Sequence, residues 1–237
     1  MTPSPNPVFC AVDTSDLGTA ISLAESLQGL VGGIKLGLEF FMANGSAGYL
    51  QIVSQGLPIF LDLKLHDIPN TVAGAVSSLL SLEPAFLTVH ASGGAAMMKS
   101  AAETASKAGT KRPKLLAVTV LTSLDQNDLS AVGQGQNASD QVVRLAKLAK
   151  ESGMDGIVCS PEEIIVLRQA LGKDFILMVP GIRPEWAATN DQKRIMTPRH
   201  ACEAGASYLV IGRPITMADS PAQAARRIAQ DLGTRTA

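Results

Sequence analysis

Residues 59–71 read Ile-Phe-Leu-Asp-Leu-Lys-Leu-His-Asp-Ile-Pro-Asn-Thr, and the fold can be worked out from this stretch outward. It begins as an apolar run that is typical of a buried parallel strand. Asp62, Lys64 and Asp67 interrupt the run, although unpaired buried charges are costly. Side-chain alternation places Asp62 and Lys64 on one face, whereas Asp67 lies near Pro69, which ends the pairing. A structural ion pair is one interpretation, but three charges followed by Ile-Pro-Asn-Thr favour a catalytic site.

The rest of the chain alternates short apolar segments with longer segments of helical spacing. The segments that read as strands are residues 8–13, 33–37, 59–65, 86–91, 115–121, 156–160, 175–180 and 208–212. Ser160-Pro-Glu-Glu163 and Ser220-Pro-Ala-Gln223 match capping boxes with proline at the first helical position, and Thr197-Pro198 opens a further helix. Eight strand–helix units predict a (β/α)8 TIM barrel, whose typical length of about 250 residues is close to the 237 found here.

A doubly wound open sheet is the alternative fold. It would usually have a glycine-rich turn after the first strand, whereas residues 13–16 read Asp-Thr-Ser-Asp. Composition does not shift along the chain, so we expect a single α/β domain over residues 1–237. Two connections are long, 122–139 and 181–197. Both follow strands and therefore belong to the face where barrel active sites lie, and loops of this length are often lids.

Composition argues against several classes of protein. The chain is 46% hydrophobic, 17% charged and 4% aromatic, with a net charge of −1, which disfavours a nucleic-acid groove or a membrane surface. Cys10, Cys159 and Cys202 are far apart and lack metal-ligand spacing, as is typical of reduced cysteines. Neither a signal-peptide pattern nor an apolar run of the roughly 18 residues in a membrane span is evident. We therefore expect a cytoplasmic protein with no nucleic-acid or membrane partner.

Polar residues gather at the predicted carboxyl ends of the strands. They are Asp13, Lys35, Asp62, Lys64, His90, Thr122, Ser123, Gly212 and Arg213. Barrel enzymes place their active sites at this face. Structural interpretations exist for single residues, since Asp13 could cap the next helix, Lys35 could extend to solvent and His90 could be a packing residue. Chance would scatter such residues over both ends of the strands, so the joint pattern favours an active site.

The last strand offers a phosphate site. In Ile211-Gly-Arg-Pro214, the glycine allows close approach of the backbone, and the arginine can donate two parallel hydrogen bonds to an anion. Barrels commonly hold phosphate near strands seven and eight. Arg183 and Gln192, on the long seventh connection, could close over the same group. These residues, Gln192 above all but also Arg213, could instead be ordinary solvated surface residues.

Taken together, these motifs resemble the bacterial type of the orotidine 5′-phosphate decarboxylase family. Residues 62–71 look like that family's signature. The resemblance covers almost the whole chain in order, through segments 11–13 (Ala-Val-Asp), 34–37 (Ile-Lys-Leu-Gly), 118–123 (Val-Thr-Val-Leu-Thr-Ser), 180–184 (Pro-Gly-Ile-Arg-Pro), 190–194 (Asn-Asp-Gln-Lys-Arg) and 210–214 (Val-Ile-Gly-Arg-Pro). It implies a TIM barrel that converts orotidine 5′-monophosphate to uridine 5′-monophosphate and carbon dioxide in de novo pyrimidine biosynthesis, without a metal or organic cofactor.

The resemblance also implies a role for each candidate residue. Lys35, Asp62, Lys64 and Asp67 match the family's charged tetrad, in which Lys64 protonates C6 of the pyrimidine and Asp67 comes from the partner subunit of a homodimer. The implied substrate-binding residues are Asp13 and Lys35 at the ribose hydroxyls, Asp62 at the substrate carboxylate, Thr71 across the subunit interface, Thr122 or Ser123 at the base, Pro180 beside the substrate, and Arg183, Gln192, Gly212 and Arg213 at the phosphate.

Two alternative functions stay open at this point. A metal-dependent phosphosugar β-keto acid decarboxylase or synthase of the same superfamily would use the two aspartates to hold Mg²⁺, which prefers oxygen ligands. The Ile-Pro-Asn-Thr and Leu-Thr-Ser segments fit the pyrimidine enzyme better. A non-catalytic nucleotide-binding barrel that dimerises on binding ligand would be expected to have a broken tetrad, whereas all four residues are present here.

Overall fold

The computed structural model describes residues 6–134, 137–187 and 196–233. Its strands are β1 (Val8–Val12), β2 (Gly33–Gly37), β3 (Ile59–Leu65), β4 (Phe86–His90), β5 (Lys114–Val118), β6 (Gly156–Val158), β7 (Ile176–Val179) and β8 (Tyr208–Ile211). Its helices are α1 (Leu17–Ser26), α2 (Leu38–Val53), α3 (Pro69–Leu79), α4 (Gly94–Ser106), α5 (Gln126–Ala131), α6 (Ala138–Glu151), α7 (Ile164–Leu171), α8 (Pro198–Ala204), α9 (Arg213–Thr216) and α10 (Pro221–Asp231).

The strands form one closed parallel barrel. Each strand pairs with its neighbours in sequence, and β1 also pairs with β8. The predicted (β/α)8 TIM barrel is therefore confirmed, with a strand in each of the predicted places. Because all eight strands run in parallel, their carboxyl ends surround one opening. The extent of the domain, residues 1–237, stays a prediction.

Aromatic side chains fill the interior of the barrel at its amino end. Phe86 lies edge-on to Phe9, with ring centroids 5.4 Å apart, and its centroid is 5.1 Å from that of Tyr208. Such edge-to-face contacts add to the free energy of burying the rings. Alternate residues such as Cys10 and Leu87 belong to a second apolar layer, with the period of two expected of strands. Because these aromatic rings fill the amino end, the open space of the barrel lies at its carboxyl end.

The fifth strand is shorter than predicted. We predict residues 115–121, whereas β5 ends at Val118. Its neighbour β6 ends at Val158, which is the last partner of β5 in the parallel ladder. Val120 and Leu121 therefore continue the apolar run outside the sheet and line the cavity at the mouth of the barrel.

The connection 122–139 is predicted as a loop but contains α5, so that part of the prediction is wrong. Asp125 accepts the backbone N–H groups of Asn127 and Asp128, and Asp128 in turn accepts the N–H of Asp125. The helix begins at this capping box, which is made by two aspartates. With six residues, α5 is too short for a clear helical period.

The predicted helix starts are confirmed. Thr197 accepts the N–H of His200 at the start of α8, Ser220 caps α10, and the Ser160–Glu163 capping box is present, its first turn being a 3₁₀ turn before α7. Asp16 rather than Asp13 caps α1, since its Oδ1 accepts the Thr19 N–H at 2.7 Å. In the described part of the chain, no helix has the length and hydrophobicity needed to cross a bilayer.

Candidate active site

A cavity of about 630 Å³ opens at the carboxyl ends of the strands. Its lining includes most of the predicted site residues, namely Asp13, Lys35, Asp62, Lys64, Thr122, Pro180, Arg183, Gly212 and Arg213. These residues are spread over two hundred positions of the sequence. They meet because each lies in the central or carboxyl-terminal part of a barrel strand or in the connection that follows it.

Four charged side chains form a connected series on the β1–β3 side of the cavity. Lys35 Nζ lies 2.8 Å from Asp13 Oδ1 and 3.8 Å from Asp62 Oδ2, and Lys64 Nζ lies 2.7 Å from the same Asp62 oxygen. The side chains of Lys35 and Asp62 are each 11% exposed. Each buried charge thus touches an opposite charge, which offsets the free energy of desolvation.

Lys64 has a backbone conformation that non-glycine residues seldom adopt, with φ of 52°. Around it, the pairing of β3 with β4 changes register: Leu61 pairs with Leu87, but Leu65 pairs with Val89. Four steps along β3 therefore match two along β4, which makes a β-bulge. Bulges beside active sites re-aim side chains, and strained backbone persists where surrounding contacts hold it.

Thr88 contacts both sides of this bulge, and the sequence analysis missed it. Its side chain is fully buried on β4. Its hydroxyl donates to Asp62 Oδ1 at 3.0 Å and accepts the backbone N–H of Lys64 at 2.8 Å. Threonine is common in strands, so no signal in the sequence distinguishes Thr88 from a packing residue.

Gly37 is a second site residue that sequence reasoning missed. A Cβ atom there would lie 3.1 Å from Lys35 Nζ and 3.5 Å from Asp13 Oδ1. A side chain at this position would therefore crowd the ion pair between the two residues. The Ile-Lys-Leu-Gly motif contained this glycine, but the sequence did not reveal what it contacts.

The β7–β8 side of the cavity holds two arginines. Arg213 begins α9, which is separated from the end of β8 by one residue, and Arg183 follows β7. Arg183 is 6% exposed, and its Nη1 donates to the carbonyl of Ile182 at 3.0 Å. A Cβ at Gly212 would lie 3.3 Å from the Cβ of Ala11, so the glycine lets the turn after β8 pack closely against β1. An anion bound here would meet two guanidinium groups.

The remaining lining is mostly apolar, and its cysteine is not a nucleophile. Val118, Val158 and Val210 contribute to it. Burial, and then the nearby Glu163 carboxylate, raise the pKa of the Cys159 thiol well above its usual value. Because the thiolate is the reactive form of cysteine, this thiol is inert near neutral pH.

His66 and His90 lie against each other at the ends of β3 and β4, with ring centroids 5.4 Å apart. Burial is the main cause that lowers the pKa of His90, followed by the neighbouring His66 and Lys64, while Asp62 acts in the opposite direction. His90 is therefore neutral at pH 7. This state fits the packing role that the sequence analysis named as one interpretation of His90.

Residues 6–228 match the model of the "Orotidine 5'-phosphate decarboxylase / HUMPS family". The chain belongs to that family. It is 56% identical over 232 residues to the orotidine 5′-phosphate decarboxylase of Rhodospirillum rubrum, an alignment that covers 96% of this chain and 94% of the relative. It is 54% identical over 232 residues to that of Paramagnetospirillum magneticum, covering 96% and 99%. The family expected from the sequence is confirmed.

Solved structures share the fold of this family member. The orotidine 5′-phosphate decarboxylase of Lactobacillus acidophilus superimposes with a TM-score of 0.82 at 39% identity, covering 97% of this chain and all of the other. A protein of the same name from Pyrococcus horikoshii gives a TM-score of 0.76 at 22% identity, covering 96% of this chain and all of the other, and at that identity only the fold is comparable.

Of the tetrad expected for this family, three members lie at the cavity and Asp67 does not. Asp67 and Thr71 are exposed and lie outside the cavity lining. The Asp67 carboxylate accepts the N–H of Ile68 at 2.6 Å. Ser123 is exposed beside the cavity, whereas its neighbour Thr122 lines it. Gln192 lies outside the described residues.

The described residues contain no group of three or more histidine, cysteine, aspartate and glutamate side chains arranged to hold a metal ion. The candidate site consists of alternating ammonium and carboxylate groups, and two arginines line the same cavity. Such fixed charges can stabilise a developing charge without reorganisation.

Proposed function

We propose that this protein is a lyase that decarboxylates orotidine 5′-monophosphate to uridine 5′-monophosphate and carbon dioxide. The observation that carries the proposal is that the Lys35–Asp62–Lys64 series lines the same cavity as Arg183 and Arg213. A nucleotide with a carboxylate on its base and a phosphate on its ribose has charged groups at both ends to match this arrangement. The curated relatives carry the name of this enzyme of pyrimidine biosynthesis.

In the proposed step, the bond between C6 and the carboxylate carbon breaks and its electron pair stays on C6. The ring delocalises this charge poorly, so the Lys64 ammonium must stabilise it. A proton then moves from Lys64 Nζ to C6, which forms the C–H bond of the product. The neutral amine of Lys64 regains a proton from water before the next turnover.

Asp62 and Asp13 orient the reacting groups in this proposal. Asp62 holds Lys64 at 2.7 Å and would face the substrate carboxylate, so their repulsion is relieved as carbon dioxide leaves. Asp13 and Lys35, in contact at 2.8 Å, would hold the ribose hydroxyls. Thr122 is the proposed contact to the base, because it lines the cavity.

The phosphate is assigned to Gly212, Arg213, Arg183 and Gln192, beside Pro180. The first three residues line the β7–β8 side of the cavity. Phosphate binding remote from C6 supplies binding free energy that can be used to close the site and orient the base. A substrate without phosphate should therefore lose kcat as well as affinity.

A homodimer with shared active sites is the second part of the proposal. Leu38, Met42 and Ile68 are 45%, 73% and 67% exposed. Leu38 begins α2 directly after β2, and Ile68 directly follows Asp67 beyond β3, so these apolar side chains lie near one corner of the carboxyl face. Exposed apolar clusters often mark interfaces. We propose that a partner subunit covers this corner and receives Asp67 and Thr71 into its own site.

The proposed reaction needs no metal and no organic cofactor, since the charges of the protein itself stabilise the carbanion. A cytoplasmic location is part of the same proposal. It is supported by the cysteines, because Cys10, Cys159 and Cys202 are all free, as is usual in a reducing compartment.

The test is the fall in absorbance of orotidine 5′-monophosphate on addition of purified protein in the presence of excess chelator. We expect full turnover to uridine 5′-monophosphate, and a loss of about a hundredfold or more in Lys64→Ala, the scale of a missing proton donor. Lys114→Ala is the matched control, because Lys114 lies at the amino end of β5 beside Asp155. Activity that disappears in chelator and returns with Mg²⁺ would favour the metal-dependent alternative, and binding without turnover the non-catalytic barrel.

A further inference from the structure

We propose that Thr88 is a positioning residue for this reaction, which sets both the carboxylate of Asp62 and the backbone of Lys64 through one hydroxyl. The inference rests on the proposed decarboxylation. Thr88 lies outside the cavity lining and would not touch the substrate. It would act through the two residues on β3 that it contacts.

The direction of both hydrogen bonds follows from chemistry. The backbone N–H of Lys64 can only donate, so Thr88 Oγ1 accepts it at 2.8 Å. The hydroxyl proton is then left for Asp62 Oδ1, 3.0 Å away, and an ionised carboxylate only accepts. The bond to Asp62 is therefore charge-assisted, a stronger class than bonds between neutral groups.

This contact divides the two oxygens of Asp62 between different partners. Oδ1 is occupied by Thr88, whereas Oδ2 faces Lys64 Nζ at 2.7 Å and Lys35 Nζ at 3.8 Å. The carboxyl plane is thus held from the side opposite the lysines. Without the hydroxyl, the carboxylate could rotate about its χ2 angle. The ammonium groups of Lys35 and Lys64 would then no longer be held in place by Asp62 Oδ2.

The hydrogen bond from the Lys64 N–H to the Thr88 hydroxyl helps to hold the strained backbone of Lys64. In a regular parallel ladder, alternate N–H groups of β3 would donate to main-chain carbonyls of β4. The register shift between Leu61 and Leu65 interrupts that ladder, and the Thr88 hydroxyl takes up the Lys64 N–H instead. It therefore helps to hold the φ of 52° from which the ammonium reaches Asp62.

The experiment compares Thr88→Val, which keeps the shape but removes the hydroxyl, with Thr88→Ser, which keeps the hydroxyl. We expect kcat of Thr88→Val to fall about tenfold to a hundredfold, the effect of losing a hydrogen bond to a charged group, while KM changes less than about threefold. Thr88→Ser should recover most of kcat. Thr119→Val is the matched control: Thr119 is also buried, but its hydroxyl donates to the carbonyl of Val158.

A purely structural role would lower melting temperature and active fraction, leaving kcat per active site unchanged. Retained kcat in Thr88→Val, or a loss that Thr88→Ser does not recover, overturns the proposal. If Thr88→Val fails to fold, Thr88→Ala is compared with Thr88→Ser instead. A crystal structure of the Thr88→Val or Thr88→Ala variant separates this inference from the proposed function. If Asp62 and Lys64 keep their wild-type positions in the variant, the positioning role is refuted, and if they are displaced, it is supported. Both outcomes can be read even if the wild-type protein has no decarboxylase activity.

Discussion

Lys64 must satisfy two structural requirements of the site, one on its backbone and one on its side chain. Its φ of 52° costs about 1–2 kcal/mol for an ordinary residue, and its ammonium must stay beside Asp62 in a partly buried position. The neighbouring strand contributes to both through Thr88, which accepts the Lys64 N–H and donates to the Asp62 carboxylate that holds the ammonium. Strain that is held in this way is typical of functional positions.

Arg213 should distinguish the phosphorylated nucleotide from orotidine, which lacks the phosphate. We predict that Arg213→Ala lowers kcat/KM for the nucleotide. The corresponding loss of transition-state stabilisation should be about 3–5 kcal/mol, because a charged contact to the phosphate is lost. The rate for orotidine, which lacks the phosphate, should barely change. Steady-state kinetics with both substrates provide the measurement, with exposed Arg226→Ala as control. Equal losses for both substrates would make Arg213 structural.

His90 should make stability depend on pH. Its pKa is lowered in the folded protein, mainly by burial, so the unfolded chain binds the proton more readily. Its contribution is therefore present above the ordinary histidine pKa of 6.5 and is lost as pH falls through the lower folded value. We predict that the loss of melting temperature between pH 7.5 and 5.5 is smaller in His90→Gln than in the wild type. Exposed His200→Gln should behave like the wild type, and an unchanged slope in His90→Gln would refute the assignment.

At the scale of elements, α7 is tied to its neighbours by a single arginine. Arg168 Nε donates to the carbonyl of Gly205 at 2.8 Å, Nη1 to those of Gly172 and Phe175, and Nη2 to Ser207 Oγ at 2.8 Å. These partners lie after α7, before β7 and between α8 and β8. One side chain therefore satisfies three backbone carbonyls in two connections at the amino end of the barrel.

Removing the hydrogen bonds of Arg168 should lower the stability of the fold without changing kcat. We predict that Arg168→Met, which keeps the aliphatic stem, lowers the free energy of unfolding by about 2–4 kcal/mol, because carbonyl groups lose their donors. Urea unfolding provides the measurement, and kcat should stay near the wild-type value. Arg144→Met on the exposed face of α6 is the control. If both variants are equally stable, the network contributes little.

For the whole molecule, the shared site can be tested with mixed dimers. Lys64→Ala and Asp67→Ala should each be nearly inactive as homodimers. After subunit exchange, one site of each heterodimer has both native residues, so random pairing should restore roughly a quarter of the wild-type sites. Activity per total protein, measured before and after exchange, provides the test.

The control for this experiment mixes Lys64→Ala with Asp62→Ala. These residues meet within one chain, 2.7 Å apart, so no heterodimer site contains both and activity should stay absent. If the Lys64→Ala and Asp67→Ala mixture stays equally inactive while exchange is demonstrated, Asp67 acts within its own chain and the shared-site model is wrong.

The sequence alone determined the barrel and the charged residues of the cavity lining. Eight apolar segments separated by helical patterns leave few alternatives to a closed parallel sheet, and the carboxyl ends of parallel strands surround one opening. Residues such as Asp13, Lys35 and Arg213 could therefore be grouped before any distance was known. This reasoning needs only the period of the elements and their order in the chain.

Only the tertiary structure revealed how the site is held. Thr88 lies 24 residues from Lys64, and their contact depends on a register shift between two strands that no local pattern encodes. The space that Gly37 leaves for an ion pair likewise depends on side chains from β1 and β2. Periodicity indicates which face a residue occupies, but a hydrogen bond depends on the relative shift of neighbouring strands to within about an ångström, and that shift is set by the packing of the whole barrel.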